Sequence, residues 1–147
     1  MSLKERLMED LKTSMKNKDI LRKNTITMVR AEIKQVEVDQ RVDLDDEDIL
    51  KIMSKQLKEK RNSIQEFKKG DRQDLVDQAE AEIAILLEYL PKQLTEEELT
   101  EIVKNVLEKS GYTSMKDMGK IMKEVMPLVQ GKADGNMVNQ VVRKILA

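Results

Sequence analysis

The sequence predicts an all-α protein: an N-terminal antiparallel bundle of about four helices, then a small three-helix unit. Apolar residues recur mostly at helical spacings of three and four in seven successive segments, the period of one helix face, and no segment reads clearly as a strand. Residues that start and stop helices stand at the ends of these segments. The balance of 39% hydrophobic and 37% charged residues suits exposed helices around a modest core rather than a disordered chain.

In the first helix, Ser2 and Glu5 have the spacing of a capping box, and Leu3, Leu7, Leu11 and Met15 recur every four residues up to an end near Asn17. Asp19 is placed to cap the second, whose inward seam is Ile26, Val29, Ile33 and Val36. The acidic run Asp43, Asp45, Asp46, Glu47 and Asp48 lacks the glycine and terminal glutamate of a calcium loop, so it reads as the favourably charged start of the third helix. That helix, Asp46 to Phe67, turns Leu50, Met53, Leu57, Ile64 and Phe67 inward and leaves Lys60 in the seam, its stem over the core and its ammonium in water. Alternatively, Lys60 and Arg61 join Lys51, Lys55 and Lys58 in a basic surface. Gly70 is expected to stop this helix and Asp71 to cap the fourth, with Val76, Ala79, Ile83, Leu86 and Leu90 inward and Pro91 forcing an end at Leu90.

Pro91 to Leu94 is the expected junction, giving domains 1–91 and 92–147. Thr95 and Glu98 form a second capping box ahead of Leu99, Ile102, Val103 and Val106, with Gly111 just past the helix end. The sixth helix is expected to turn Met115, Met118, Met122, Val125 and Val129 inward, and Pro127 predicts a kink or a looser last turn. Gly119 weakens that helix and suggests another backbone passing close by. In the turn that follows, Gly131 is placed for the left-handed conformation and Asp134, ahead of Gly135, for the N-cap of the last helix. Val138, Val141, Val142 and Ile145 are its inward face, with Arg143 and Lys144 near its C-terminus, where the helix dipole favours cations. A unit this small buries only about 60% of its unfolded surface, so it should dock on the bundle or be marginal alone.

The residue inventory argues against chemistry. There is no histidine and no cysteine, which removes the commonest general base, the thiol nucleophile, disulfides and the usual zinc ligands. No catalytic residue, metal site or cofactor is expected, and nothing reads as a secretory signal, a membrane span or a membrane partner. The cytoplasm is the default compartment. GKADG lacks the strand, glycine spacing and Lys-Ser or Lys-Thr pair of a nucleotide-binding loop. The net charge of −1 hides an imbalance: from Tyr112 onward Lys116, Lys120, Lys123, Lys132, Arg143 and Lys144 face only Asp117, Glu124 and Asp134. Lys116, Lys120 and Lys123 are spaced for one helical face, so these six cations are the candidate contacts for successive phosphates of a folded RNA. The methionines Met115, Met118, Met122, Met126 and Met137 read either as core filling or as an adaptable groove for a protein partner.

Two runs, DMGKIMKEVMP and GKADGNMVNQVVRKIL, resemble the tail domain of the B subunit of the tRNA-dependent amidotransferase. With SLKERLMEDLKTSMK at the start and EYLPKQLTEEEL in the middle, nearly the whole chain resembles the GatB/YqeY family, closest to its free-standing YqeY proteins. In that B subunit the tail domain is associated with holding the body of tRNA, while catalysis resides in other domains and in the A subunit. The resemblance therefore implies a non-catalytic tRNA-binding or tRNA-enzyme accessory protein, with tRNA and a tRNA-modifying or amidotransferase enzyme as partners. It does not carry over the carbon-nitrogen ligase activity with glutamine as amido donor, which belongs to the assembly. A protein-interaction adaptor is the alternative.

Overall fold

Seven α-helices and one short 3-10 turn carry the chain, and no strand forms. The computed structural model describes residues 1–147 and divides into two compact units, Met1–Leu90 and Pro91–Ala147. The first unit holds α1 (Leu3–Lys16), α2 (Ile20–Gln40), α3 (Asp46–Lys69) and α4 (Gln73–Leu87). The second holds α5 (Glu96–Ser110), the 3-10 turn (Met115–Asp117), α6 (Met118–Val129) and α7 (Gly135–Leu146).

Helix starts in the first unit follow local hydrogen bonding. The Ser2 hydroxyl accepts the Glu5 N–H at 3.2 Å, but Glu5 does not reciprocate, so the expected box is one-sided. Asp19 accepts the Arg22 N–H at 3.2 Å. The acidic run is consumed by helix starts: Asp45 accepts from the Asp48 N–H at 2.9 Å, Asp48 accepts in return from the Asp45 N–H, and Asp46 accepts the Leu3 N–H at 2.9 Å. The N–H of Asp48 holds the Asp45 carboxyl below the usual carboxylate range.

The turns differ from expectation at the third junction. Gly70 ends α3 but with φ −87°, and Asp71 takes the left-handed conformation instead, with φ 58°. Asp71 cannot then cap α4, whose N-cap is Arg72, with no side chain accepting the first free backbone N–H groups. An aspartate tolerates that geometry because its short polar side chain is compatible with left-handed backbone. At the other end α4 stops at Leu87, short of the expected Leu90, because the N–H groups of Glu88 and Tyr89 bond to Ile85 and Leu86 in a tighter turn.

The main core gathers Leu7, Ile26, Val29, Ile49, Met53 and Leu86 with their neighbours, and a satellite core of Ile64, Val76 and Ala79 lies between α3 and α4. Ile49, Ile52 and Ile85 are buried although spacing pointed to Leu50 and Ile83. In each case two apolar residues are adjacent or nearly so, and a helix contacting more than one neighbour turns a broader face inward than one seam describes. Met15, expected inside, is 54% exposed at the α1–α2 turn.

Lys60 does not send its ammonium into water. It donates to Glu82 of α4 at 2.5 Å, and both side chains are largely shielded, at 13% and 14% exposure. Lys4 near the start of α1 pairs with Glu37 near the end of α2, which makes α1 and α2 an antiparallel hairpin. Glu37 also accepts the Leu44 N–H at 2.8 Å. The Lys4 ammonium and then that N–H hold the Glu37 carboxyl below the usual range.

Two outcomes are expected. Lys60→Ala leaves Glu82 shielded and unpaired and should cost about 1–3 kcal/mol in urea unfolding, while Lys60→Met with Glu82→Leu should recover much of the loss. Glu37 has a folded pKa below its unfolded value, so its stabilising effect is complete above about pH 5 and is lost as pH falls through the lower folded value. Glu37→Gln should therefore show a smaller fall in melting temperature on acidification from pH 5 than the parent does.

Candidate functional site

The second unit is built from small aliphatic side chains. Leu99, Val103 and Val106 of α5, Ile121, Val125 and Val129 of α6, and Val138, Val141 and Val142 of α7 form one core. The Thr95 hydroxyl and the Glu98 carboxylate cap each other's backbone at the start of α5, and Gly111, with φ 74°, follows its end. Entry to α6 departs from the expected single helix. Residues Met115–Asp117 form a 3-10 turn whose N-cap is Ser114, and α6 begins only at Met118.

That change of winding resets the inward face. Ile121, Val125 and Val129 are fully buried in steps of four, whereas Met118, Met122 and Met126 are half-buried beside them and Met115 is 45% exposed. The methionines thus pad the rim of the core. Gly119 is exposed, and a Cβ built there meets nothing within 4 Å, so no backbone passes close. Pro127 sits inside α6 and removes the N–H that would have bonded the Lys123 carbonyl, at a solvent-exposed position where water can serve instead.

The α6–α7 turn is pinned from two sides. The Lys132 N–H donates to the Val129 carbonyl at 2.8 Å, and Gly131 has φ 77°. From the segment after Pro91, the Gln93 side-chain amide donates to the Gly131 carbonyl at 2.7 Å and the Leu94 N–H to the Lys132 carbonyl at 2.9 Å. The Asp134 carboxylate accepts the Met137 N–H at 2.8 Å and so occupies the start of α7, with Gly135 as its first residue. An anion is therefore not seated in that helix N-terminus. It would meet the exposed Lys132 on the rim.

Of the six candidate cations, Lys120 and Lys123 share an exposed face of α6, three residues apart. Lys116 lies in the 3-10 turn, so its spacing of four from Lys120 does not place it on the same α-helical face. Arg143 is exposed on α7. Lys144 is drawn to α5, where it donates to Glu96 at 2.5 Å in an exposed pair. Lys116, Lys120, Lys123, Lys132 and Arg143 take part in no ion pair.

Two features escaped sequence reasoning. Lys92 is exposed and stands next to the segment hydrogen-bonded to Gly131 and Lys132, which adds a seventh cation to the six candidates. Gln93 and the Gly131 carbonyl it bonds are 38 positions apart, so spacing carried no signal. In the first unit the Tyr89 hydroxyl donates to Asp10, and the Arg6 guanidinium lies 4.4 Å from the ring centroid. Arg22 pairs with Glu88, and Arg6 also donates to the Glu88 carbonyl at 3.3 Å. Burial first, then the Asp10 carboxylate, pushes the Tyr89 hydroxyl up from its ordinary pKa. It is a hydrogen-bond donor locking α1 to the end of α4, not a proton-transfer group. A cleft of about 890 Å³ between α1 and α2, with Leu7, Met8 and Ile33 inside and Lys4, Arg30 and Glu37 at its edges, gathers charges of both signs.

The family described as Yqey-like protein matches residues 4–146. The chain is 31% identical, over 96% of its own length and 79% of the relative's, to "Altered inheritance of mitochondria protein 41, mitochondrial" of Pyrenophora tritici-repentis. Proteins of the same name from Lachancea thermotolerans and Kluyveromyces lactis are 44% and 42% identical, over 57% and 56% of this chain. The chain spans less than half the length of those two, 46% and 45%. These names overturn the expectation of a cytoplasmic protein, since the relatives are mitochondrial by name. That expectation rested on missing cysteine, and a chain without thiols has no disulfide in any compartment, so its composition does not discriminate.

The two glycines should respond oppositely to alanine. Gly131→Ala forces a Cβ into left-handed backbone and should destabilise by about 1 kcal/mol or more, whereas Gly119→Ala, in open space, should stabilise by a few tenths to about 1 kcal/mol. Thermal unfolding of the two variants beside the parent measures both signs.

Proposed function

The chain belongs to the Yqey-like family, and from that premise we propose that it is a non-catalytic tRNA-binding or tRNA-enzyme accessory protein whose C-terminal unit meets the RNA. The observation that carries this reading is the set of five exposed cations without ion-pair partners: Lys116, Lys120, Lys123, Lys132 and Arg143. Folded RNA is recognised mainly through phosphates, 2′-hydroxyls and shape, for which cations on a rigid helical surface suffice. Aromatic stacking platforms for single strands are scarce, Tyr112 being the one aromatic residue of this unit. The resemblance of the Asp117–Pro127 and Gly131–Leu146 runs to the tail domain of the amidotransferase B subunit supports the same reading. A carbon-nitrogen ligase role rests on family association alone, for the chain brings neither histidine nor cysteine to such a reaction. The adaptor reading loses most of its surface, because four of its five methionines are half-buried against the core. The mitochondrial names of the relatives are the guide to where the tRNA would be met.

Binding should be electrostatic and weak at physiological salt, with Kd of about 10⁻⁴ to 10⁻⁶ M. Replacing Lys116, Lys120 and Lys123 together by glutamine should weaken it, flatten its dependence on salt and leave thermal stability nearly unchanged. Fluorescence anisotropy with labelled tRNA across a salt series measures all of this. A parent that does not bind, or a triple variant that binds as the parent does, removes the assignment.

A further inference from the structure

The turn between α1 and α2 carries a second concentration of cations, far in sequence from the first. Between Lys12 and Asn24 stand Lys12, Lys16, Lys18, Arg22 and Lys23, and the single carboxylate of that stretch is Asp19. Asp19 is already used, accepting the Arg22 N–H at 3.2 Å and pairing with its guanidinium at 3.4 Å. Arg22 in turn pairs with Glu88. The four lysines are exposed and enter no ion pair. Among them two aliphatic side chains face solvent, Met15 at 54% exposure and Ile20 at 69%. Ile20 opens α2 directly after its capping aspartate, where the helix start needs no apolar residue.

We propose that this hairpin end is a docking tip for a bilayer surface rich in anionic lipid. Met15 and Ile20 enter the boundary between headgroups and acyl chains, while Lys12, Lys16, Lys18 and Lys23 stay among the lipid phosphates. No helix of the chain is long and apolar enough to cross a membrane, so the association is with its surface. This replaces the expectation of no membrane partner, which was drawn from the lack of a span. RNA fits the tip less well: polyanion binding has no use for two exposed aliphatic chains, and none of the three aromatic residues, Phe67, Tyr89 and Tyr112, lies in this stretch to stack on a base. The proposal concerns the first unit only and stands apart from the RNA reading of the second.

The chain has no tryptophan, so Ile20→Trp places a sole reporter at the tip. With phosphatidylcholine vesicles containing phosphatidylserine, its emission should shift to the blue and be quenched by lipids brominated along the acyl chain. Vesicles of phosphatidylcholine alone should leave it unchanged. In co-sedimentation of the otherwise unaltered full chain, Met15→Ser with Ile20→Ser should lower partition onto the anionic vesicles about tenfold or more. Replacing the four lysines by glutamine should abolish it, with circular dichroism unchanged in both variants. The proposal is overturned if the reporter stays solvent-exposed, if binding is indifferent to the two serines, or if neutral vesicles bind equally. It is also overturned if the four lysines prove necessary for retaining tRNA and not for binding vesicles. Loss of tRNA binding in the Lys116, Lys120 and Lys123 variant with vesicle binding intact would separate the two surfaces.

Discussion

With three aromatic residues, no tryptophan and no cysteine, both units must be held by the burial of leucine, isoleucine, valine and methionine. Each such side chain contributes only about 1.5–3 kcal/mol when fully buried, so stability requires many of them on continuous helix faces. The second unit shows the result, with seven valines among its nine buried core residues and half-buried methionines closing the gaps around them. A core drawn from narrow stripes leaves the remaining faces of every helix to polar residues. The unpaired cations of α6 and α7 and those of the α1–α2 turn occupy such faces, where they are not needed for packing.

Most polar groups that enter the interior are paired, the Ser54 hydroxyl and the Gln56 carbonyl oxygen being left without a partner. Lys60 meets Glu82, Tyr89 meets Asp10 beneath Arg6, and Glu37 serves both Lys4 and the Leu44 N–H. Each contact ties helices that the apolar stripes alone would leave free to slide, because an unsatisfied partner would be costly to shield. In the second unit the hydrogen bonds from Gln93 and Leu94 to the Gly131–Lys132 turn play the corresponding part. They fix backbone, and through it the place from which the Lys132 side chain reaches solvent.

Neither proposed surface places a buried titratable group in contact with its ligand. What distinguishes them is charge without a partner, in one case beside exposed aliphatic side chains. Such surfaces suit ligands that are themselves extended and anionic, and they act through many weak contacts rather than one deep pocket.

The sequence by itself determined the all-helical class, the reciprocal box of Thr95 and Glu98, the left-handed Gly131 and the cap at Asp134. All are local: each depends on atoms within a few residues, so residue type and spacing suffice. Tertiary structure decided the rest. Whether Ile49 or Leu50 points inward depends on which neighbours α3 contacts, and whether Lys60 snorkels depends on Glu82, twenty-two residues away. The 3-10 turn at Met115 broke a register that spacing had assumed continuous, and Lys144 was claimed by Glu96 across the unit. Lys92 is brought to the turn only because its neighbours Gln93 and Leu94 donate hydrogen bonds to Gly131 and Lys132. In each case the deciding energy is a contact between segments distant in sequence, which periodicity along the chain does not encode.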